Sequence, residues 1–363
     1  MSKKILFIHP SDELYGADRV LLETLAALPK DWTLEAWLPS DLDYGDKLLS
    51  AALIEQGTRV RSMKLPVLRR AYITPLKLVR IAGWAISFFG KLAKNRPDLL
   101  YVNTTALFLA VPLARILRIP TVVHLHESLR GTEGRVIWSV ISRANQIVAV
   151  SNAIVEDAPA RARAKTRVIY NGFDLPPAQP RERHDKIQLL FASRWSGWKG
   201  VDVLIDAWDS VDTERFELTV LGGPPSSGVS IDVPNLVTQS SARSQINVVG
   251  EVHDVRRYID AADVVIVPSI QPDPLPTIAI EAASAARATI ATRTGGLPEI
   301  VAEGETGWLV VPGSADSLAA AINALDEESL TVAGDAAATR FADKFAVSRY
   351  HHEIAEVLEG WAK

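Results

Sequence analysis

Two carboxylates eight positions apart, Asp273 and Glu281, bracket the segment Asp-Pro-Leu-Pro-Thr-Ile-Ala-Ile-Glu, and Thr294-Gly-Gly-Leu-Pro-Glu299 follows it. The first segment leaves the apolar run Val264–Val267 through a proline-rich loop and opens a helix, with Pro276 suited to its first turn. Backbone N–H groups at such a start have no intrahelical acceptor and favour an anion, a diphosphate above all. Roughly two turns on, Glu281 can accept hydrogen bonds from two vicinal hydroxyls. Gly295 and Gly296 let backbone come close to a ligand ahead of a second helix start at Pro298. An ordinary strand–loop–helix connection carrying a surface Glu has the same appearance, and this segment alone does not separate the two.

Arg194 and Lys199 lie five apart in Ala192-Ser-Arg-Trp-Ser-Gly-Trp-Lys-Gly200. Fixed cations of this kind stabilise the charge that gathers on a departing diphosphate; a commonplace surface pair looks the same. His124 and His126 alternate along an expected strand and point the same way, as a metal pair would. No third ligand stands at metal spacing, and His124 reads as a satisfied core histidine. His9 and His253 read as structural or loop residues, and His351-His352 lie on a late helix. No Asp-x-Asp stands at a strand end, since Asp41-Leu-Asp43 lies between a strand and a helix. Metal is therefore not expected. With no cysteine in the chain, disulfides, thiolate nucleophiles and Cys-based metal centres are excluded.

These residues need parallel sheets to position them. Apolar runs at Lys4–Ile8, Thr33–Leu38, Leu99–Val102, Thr121–Leu125, Gln146–Val150 and Arg167–Tyr170 form one strand series. Gln188–Ala192, Glu217–Leu221, Ile246–Val249, Val264–Val267, Thr289–Ala291 and Gly307–Val310 form a second. Helical patterns such as Ala17–Leu28 and Val201–Asp209 alternate with them, which argues for an α/β protein. Asn171–Asp185, with three prolines and no periodicity, is the best linker. Ligands of open α/β sheets bind beyond the carboxyl ends of the strands, so a site between two facing domains is expected.

At 363 residues and 48% hydrophobic, the chain is large enough for two well-packed domains. The opening Met-Ser-Lys-Lys-Ile-Leu-Phe-Ile reads as a strand rather than a signal peptide, and no apolar stretch approaches the roughly twenty residues of a membrane span. The expectation is a cytoplasmic protein. Residues 1–180 hold 24 Lys and Arg against 16 Asp and Glu, and the remainder 15 against 27. From Gln56 to Pro97 there are ten basic residues and no acidic one, interleaved with Val67, Leu68, Tyr72, Ile73, Leu76, Leu78, Val79, Ile81, Trp84, Phe88 and Phe89. Residues 56–97 are read as a peripheral anchor on an anionic membrane face; the rival is a helix whose buried stripe holds Leu76, Val79, Trp84 and Phe88. No nucleic-acid motif accompanies the charge.

Taken together, the pieces resemble glycosyltransferase family 4. Asp273–Glu281 is similar to its E-x7-E segment, usually close to Glu-Pro-Phe-Gly-Leu-x-x-x-Glu followed by Gly-Gly-x-Pro-Glu. Tyr15-Gly-Ala-Asp-Arg-Val20 resembles its N-terminal Gly-Gly-Ala-Glu-Arg-Val, and His124-Leu-His-Glu127 its strand-end His motif. Val148-Ala-Val-Ser151 and Val168-Ile-Tyr-Asn-Gly-Phe-Asp174 resemble the last two strands of its first domain, and Ala192–Gly200 its Gly-Arg-x-x-x-x-Lys-Gly. The order is the family's along nearly the whole chain.

The resemblance implies a retaining, metal-independent transferase of GT-B architecture, two Rossmann-like domains facing across a cleft and needing no cofactor. Residues 1–175 would be the acceptor side, with 346–363 packing back on it, and 186–345 would bind a UDP- or GDP-sugar. It implies a glycan or lipid-linked acceptor, in cell-surface polysaccharide or glycolipid synthesis. Glu281 would hold the ribose, Arg194 and Lys199 the diphosphate, and Asp273 the donor hydroxyls, with Leu275, Pro276, Thr277 and Ile278 beside them. Gly16 would admit the phosphates, His126 would orient the sugar, and the base would lie against backbone near Gly250 and Val252. Two departures stand out: Asp273 replaces the first Glu, and Pro276 replaces a Gly, removing a backbone donor. An idle nucleotide-sugar-binding subunit, an epimerase or a phosphorylase on the same scaffold remain alternatives.

Overall fold

The computed structural model describes residues 3–69, 75–182, 184–225, 229–241 and 243–362. It divides into two compact units, Met1–Gly172 with Val347–Lys363, and Phe173–Ala346.

The first unit is built on seven parallel strands: β1 (Lys4–Ile8), β2 (Thr33–Pro39), β3 (Arg59–Met63), β4 (Leu99–Asn103), β5 (Thr121–Leu125), β6 (Gln146–Ala149) and β7 (Thr166–Val168), in the order β3-β2-β1-β4-β5-β6-β7. Every residue of β4 and β5 is buried, as befits a parallel sheet covered on both faces. The second unit has six: β8 (Ile187–Ala192), β9 (Phe216–Leu221), β10 (Ile246–Gly250), β11 (Val264–Val267), β12 (Ala288–Thr292) and β13 (Gly307–Val310), in the order β10-β9-β8-β11-β12-β13, again all parallel. Both sheets are doubly wound. The order reverses between β1 and β4 in one and between β8 and β11 in the other, and at such switch points the loops diverge and leave room for a ligand.

Strand β3 was not expected. Its sequence, Arg-Val-Arg-Ser-Met, is mostly exposed and shows no apolar run, because an edge strand borrows its hydrogen bonds from β2 and its charges discourage a further partner. The other strands fall within two residues of expectation.

Each unit has its own core. In the first, Ile5, Phe7, Leu21, Leu25, Leu99 and Tyr101 pack with Tyr350, Ile354, Val357 and Leu358 of the last helix, Val347–Trp361. That helix is pinned by polar contacts as well: Tyr350 Oη lies 2.5 Å from Thr24 Oγ1, and His351 Nε2 2.8 Å from Glu23 Oε2. In the second, Phe191, Trp208, Phe216, Ile266 and Ile290 form the centre.

Helix Pro75–Asn95 answers the question of its stripe in part. Ile81, Phe88 and Leu92 are buried, Phe88 edge-on to Trp37. Leu76 and Val79, read as members of that buried stripe, are 77% and 70% exposed, and Ile86 is 75% exposed. The spacing explains it: 76, 79, 83 and 86 share the face opposite 81, 88 and 92. Trp84 is half-buried under the cations of Lys64 and Arg80. Tyr72 and Ile73 lie outside the described residues.

Candidate active site

The second unit gathers most of the expected residues at the carboxyl ends of β8 and β11. Arg194 follows β8 and is exposed; Lys199 closes the short turn Gly197–Lys199. Asp273 lies in the loop after β11, and its Oδ2 is 2.6 Å from Lys199 Nζ, both side chains being largely buried. Lys199 also stacks over Trp198, 4.3 Å from the ring centroid. The diphosphate-binding cation and the hydroxyl-binding carboxylate of the sequence reading are thus each other's partner.

Helix Thr277–Ser284 begins immediately after this loop. Pro276 is its N-cap rather than its first turn, and no side chain caps it, so the first-turn N–H groups are left for solvent or a ligand. A hollow of about 560 Å³ opens there, lined by Arg194, Val252, His253, Thr277, Ile278 and Glu281 among others. Arg194, an uncapped helix start and Glu281 around one hollow can hold a group with anionic and hydroxylated parts. Leu275 and Pro276 are buried, so their side chains face the fold. Gly250 lies at the irregular end of β10, where its carbonyl accepts from Gly222 N–H at 2.8 Å; it does not line the hollow, whereas Val252 does.

The glycines at 295 and 296 act differently from the reading given them. A Cβ on Gly295 would strike the Asp273 backbone, and one on Gly296 the Pro274 carbonyl, while Gly296 N–H donates to Asp273 O at 2.8 Å. Gly295 also has φ +57°, strained for other residues. The close approach they permit is to the Asp273 loop itself. They set the position of Asp273.

In the first unit the polar residues meet at the switch point between β1 and β4. Gly16 opens helix Gly16–Ala26 with open space around it, and Asp18 in its first turn accepts from Tyr15 N–H at 2.8 Å. Asp18 is buried and bonded to His9 Nε2 and to Ser11 Oγ, the latter at 2.7 Å. Burial opposes its charge, but these bonds and the facing His9 outweigh it and hold its pKa below 3.8. Asn103, at the end of β4, spans His9 Nδ1 and His126 Nε2, each at 2.8 Å. His126 follows β5, and burial pushes its pKa down to about 3. His124 is not the satisfied core residue expected: Nδ1 meets Tyr101 Oη at 2.5 Å, but its buried Nε2 has no partner.

A model described as Glycosyltransferase Family 4 matches residues 16–176, and one described as Glycosyl transferases group 1 matches 186–328. The chain belongs to glycosyltransferase family 4. It is 27% identical to the alpha-maltose-1-phosphate synthase of Mycolicibacterium smegmatis over 248 residues, 60% of this chain and 64% of that protein. It is 30% identical to the lipopolysaccharide 1,2-N-acetylglucosaminetransferase of Salmonella typhimurium over 188 residues, 49% of each. These matches span about half to two thirds of the relatives' length. The crystal structure of Anabaena HepE in complex with UDP agrees with a TM-score of 0.79 at 24% identity, covering 98% of this chain and all of that one. The lipopolysaccharide outer core galactosyltransferase WaaB agrees at 0.80 and 18%, covering 98% and 99%. The fold is GT-B.

Within this family 4 chain, the structure brings Arg194, Val252, Thr277, Ile278 and Glu281 to one hollow, pairs Lys199 with Asp273, and places Gly16 and His126 in the other unit. Residues missed were Gly222-Gly223, Glu251, His9, Asn103 and the inward role of Asp18. A Cβ on Gly222, whose φ is +116°, would lie 1.9 Å from the Ser193 carbonyl oxygen, so glycine is what lets the turn after β9 pack against the loop after β8. The glycine pair was legible as Leu221-Gly-Gly-Pro-Pro after a strand. His9 and Asn103 carry no local signal beyond being polar at strand ends.

Proposed function

We propose that this protein is a retaining glycosyltransferase that moves a sugar from a nucleotide-diphosphate donor, a UDP- or GDP-sugar, to a glycan or lipid-linked acceptor. The hollow carrying Arg194, an uncapped helix start and Glu281 is the observation that supports it most directly. Glu281 accepts from the ribose hydroxyls, while Arg194 and Lys199 neutralise the diphosphate as it leaves, with no cofactor and no divalent metal required. Asp273, tied to Lys199, contacts donor hydroxyls as the pair opens. Retention follows from attack on the face the diphosphate leaves, its oxygen taking the acceptor's proton. HepE has been crystallised with UDP and with UDP-glucose, which makes a uridine nucleotide the first donor to try.

Thermal-shift measurement with a panel of nucleoside diphosphates tests the donor half, since a ligand of the native state raises the melting temperature by mass action. One nucleotide should stand out. No shift with any of them at millimolar concentration overturns the donor assignment. Product anomers read by NMR test retention, and activity in chelator tests the metal-free mechanism.

A second reading concerns where the protein works. No helix among the described residues is long and apolar enough to cross a membrane. Helix Pro75–Asn95, however, presents Leu76, Val79 and Ile86 to solvent beside Lys77, Arg80, Lys91 and Lys94. This face suits peripheral association with an anionic membrane, and with it a lipid-linked acceptor.

A further inference from the structure

Asn103 is fully buried and bonds three residues, His9, Ala17 and His126. Its Nδ2 lies 3.1 Å from the Ala17 carbonyl, which can only accept, so the amide nitrogen must face that way and the orientation of the amide is fixed. The remaining amide hydrogen points at His9 Nδ1, making that nitrogen an acceptor. The His9 proton is therefore on Nε2, directed at Asp18, whose carboxylate also takes the Ser11 hydroxyl and the Tyr15 N–H. On the other side, Asn103 Oδ1 is left to accept from His126, so Nε2 of His126 carries its proton. By elimination, Nδ1 of the neutral His126 holds a lone pair. Among the described residues nothing bonds that nitrogen, and it is not among the buried polar atoms left unpartnered.

We infer that Asp18, His9 and Asn103 are positioning residues that hold His126 as the neutral Nε2–H tautomer, so that Nδ1 acts as a hydrogen-bond acceptor for a sugar hydroxyl. The inference rests on the proposed transferase reading for the nature of the ligand, but not for the tautomer. Its chemical sense lies in charge. As the glycosidic bond breaks, positive charge grows on the sugar ring, and an imidazolium nearby would oppose it. A neutral acceptor tethers the hydroxyl without that penalty. The low pKa of His126, set chiefly by burial, agrees, and the His124 ring lies 4.2 Å away between centroids.

Long-range 15N–1H NMR of the imidazoles in the full chain, without ligand, tests the tautomer. His126 should show one protonated Nε2 and one bare Nδ1, unchanged between pH 8 and pH 5. A protonated Nδ1, or titration near pH 6.5, overturns the inference whatever the enzyme does. Asn103→Leu should lose the single tautomer; an unchanged His126 spectrum in that variant, folded by its melting curve, equally overturns it. Should Asn103→Leu not fold, Asn103→Asp serves: it keeps the acceptor for His126 but turns an oxygen on His9 and Ala17.

Kinetics test the acceptor role. The amide of His126→Asn overlays Nδ1, and that of His126→Gln overlays Nε2. His126→Asn should retain about tenfold more kcat/KM than His126→Gln, on the order of one hydrogen bond. The reverse ranking overturns the acceptor role. If the tautomer is found but no nucleotide sugar is turned over, the transferase reading fails and the positioning chain stands.

Discussion

Lys199 and Asp273 neutralise one another at 2.6 Å, whereas Arg194 is exposed, so truncating the two cations should have different consequences. Arg194→Ala is expected to leave the melting temperature unchanged, within the roughly 0.5 kcal/mol of surface substitutions, while lowering turnover at least tenfold. Lys199→Ala should lower both, because it strands a largely buried carboxylate. Equal melting losses for the two variants would show that the pair has no structural part. Glu281→Gln should weaken binding of the free nucleotide by about 1–3 kcal/mol, the usual range for a hydrogen bond to a charged group, read by calorimetric titration. Unchanged affinity would put the ribose elsewhere. Arg194, Lys199, Asp273 and Glu281 were legible because their chemistry is written in residue type and local spacing. His9, Asn103 and Asp18 were not. They are 94 and 9 positions from one another along the chain and become partners only because the sheet order sets β1 beside β4.

At the scale of elements, the ends of β1, β4 and β5 carry a pH dependence that the sequence could not announce. His124 and His126 are held neutral by burial, with pKa values lowered from 6.5, that of His126 to about 3. A histidine whose folded pKa is depressed binds more protons when unfolded, so its contribution is complete above pH 6.5 and is lost as the pH falls from 6.5 towards 3. Asp18, lowered from 3.8, keeps its contribution down to about pH 3.8 and loses it as the pH falls further. Denaturant midpoints should therefore decline from pH 6.5 downwards, and His126→Asn should flatten the decline. An identical slope in the variant would mean that His126 is not kept neutral. The Gly295–Gly296 turn makes a second claim. Gly295→Ala pushes a Cβ into the Asp273 backbone at a positive φ, and should cost about 1–3 kcal/mol of stability in a urea melt together with nucleotide affinity. Loss of neither would mean that the loop yields without consequence. Most strands and helices were readable from periodicity because their burial is regular. Strand β3 escaped, since an exposed edge with two arginines is stabilised by β2 and not by its own pattern.

The molecule as a whole divides its charge unevenly, and the last prediction follows from where the basic excess sits. Of the ten basic residues between Gln56 and Pro97, Arg59, Arg61, Lys64, Arg80, Lys91, Lys94 and Arg96 are exposed, with no acidic residue in the segment to offset them. A second group, Arg115, Arg118 and Arg143, lines a hollow at the amino ends of β5 and β6. Charge alone would make a weak and general attraction for anions. The added feature is the row Leu76, Val79 and Ile86, exposed on one face of a 21-residue helix whose opposite face is locked into the core by Phe88. Exposed aliphatic side chains of this size gain about 1.5–3 kcal/mol each when fully buried, and each well-placed cation adds about 1 kcal/mol at an anionic surface. Together these exceed what either supplies singly, so binding should require both. Flotation with anionic vesicles at low salt is expected to carry the protein upward, and neutral vesicles or high salt to leave it behind. Val79→Asp with Ile86→Asp should abolish flotation without lowering the melting temperature, because neither side chain is packed. Lys91→Glu with Lys94→Glu should shift the salt dependence as well as the extent. Retention of the wild-type protein in the bottom fraction with anionic vesicles would end the membrane reading and favour a water-soluble acceptor.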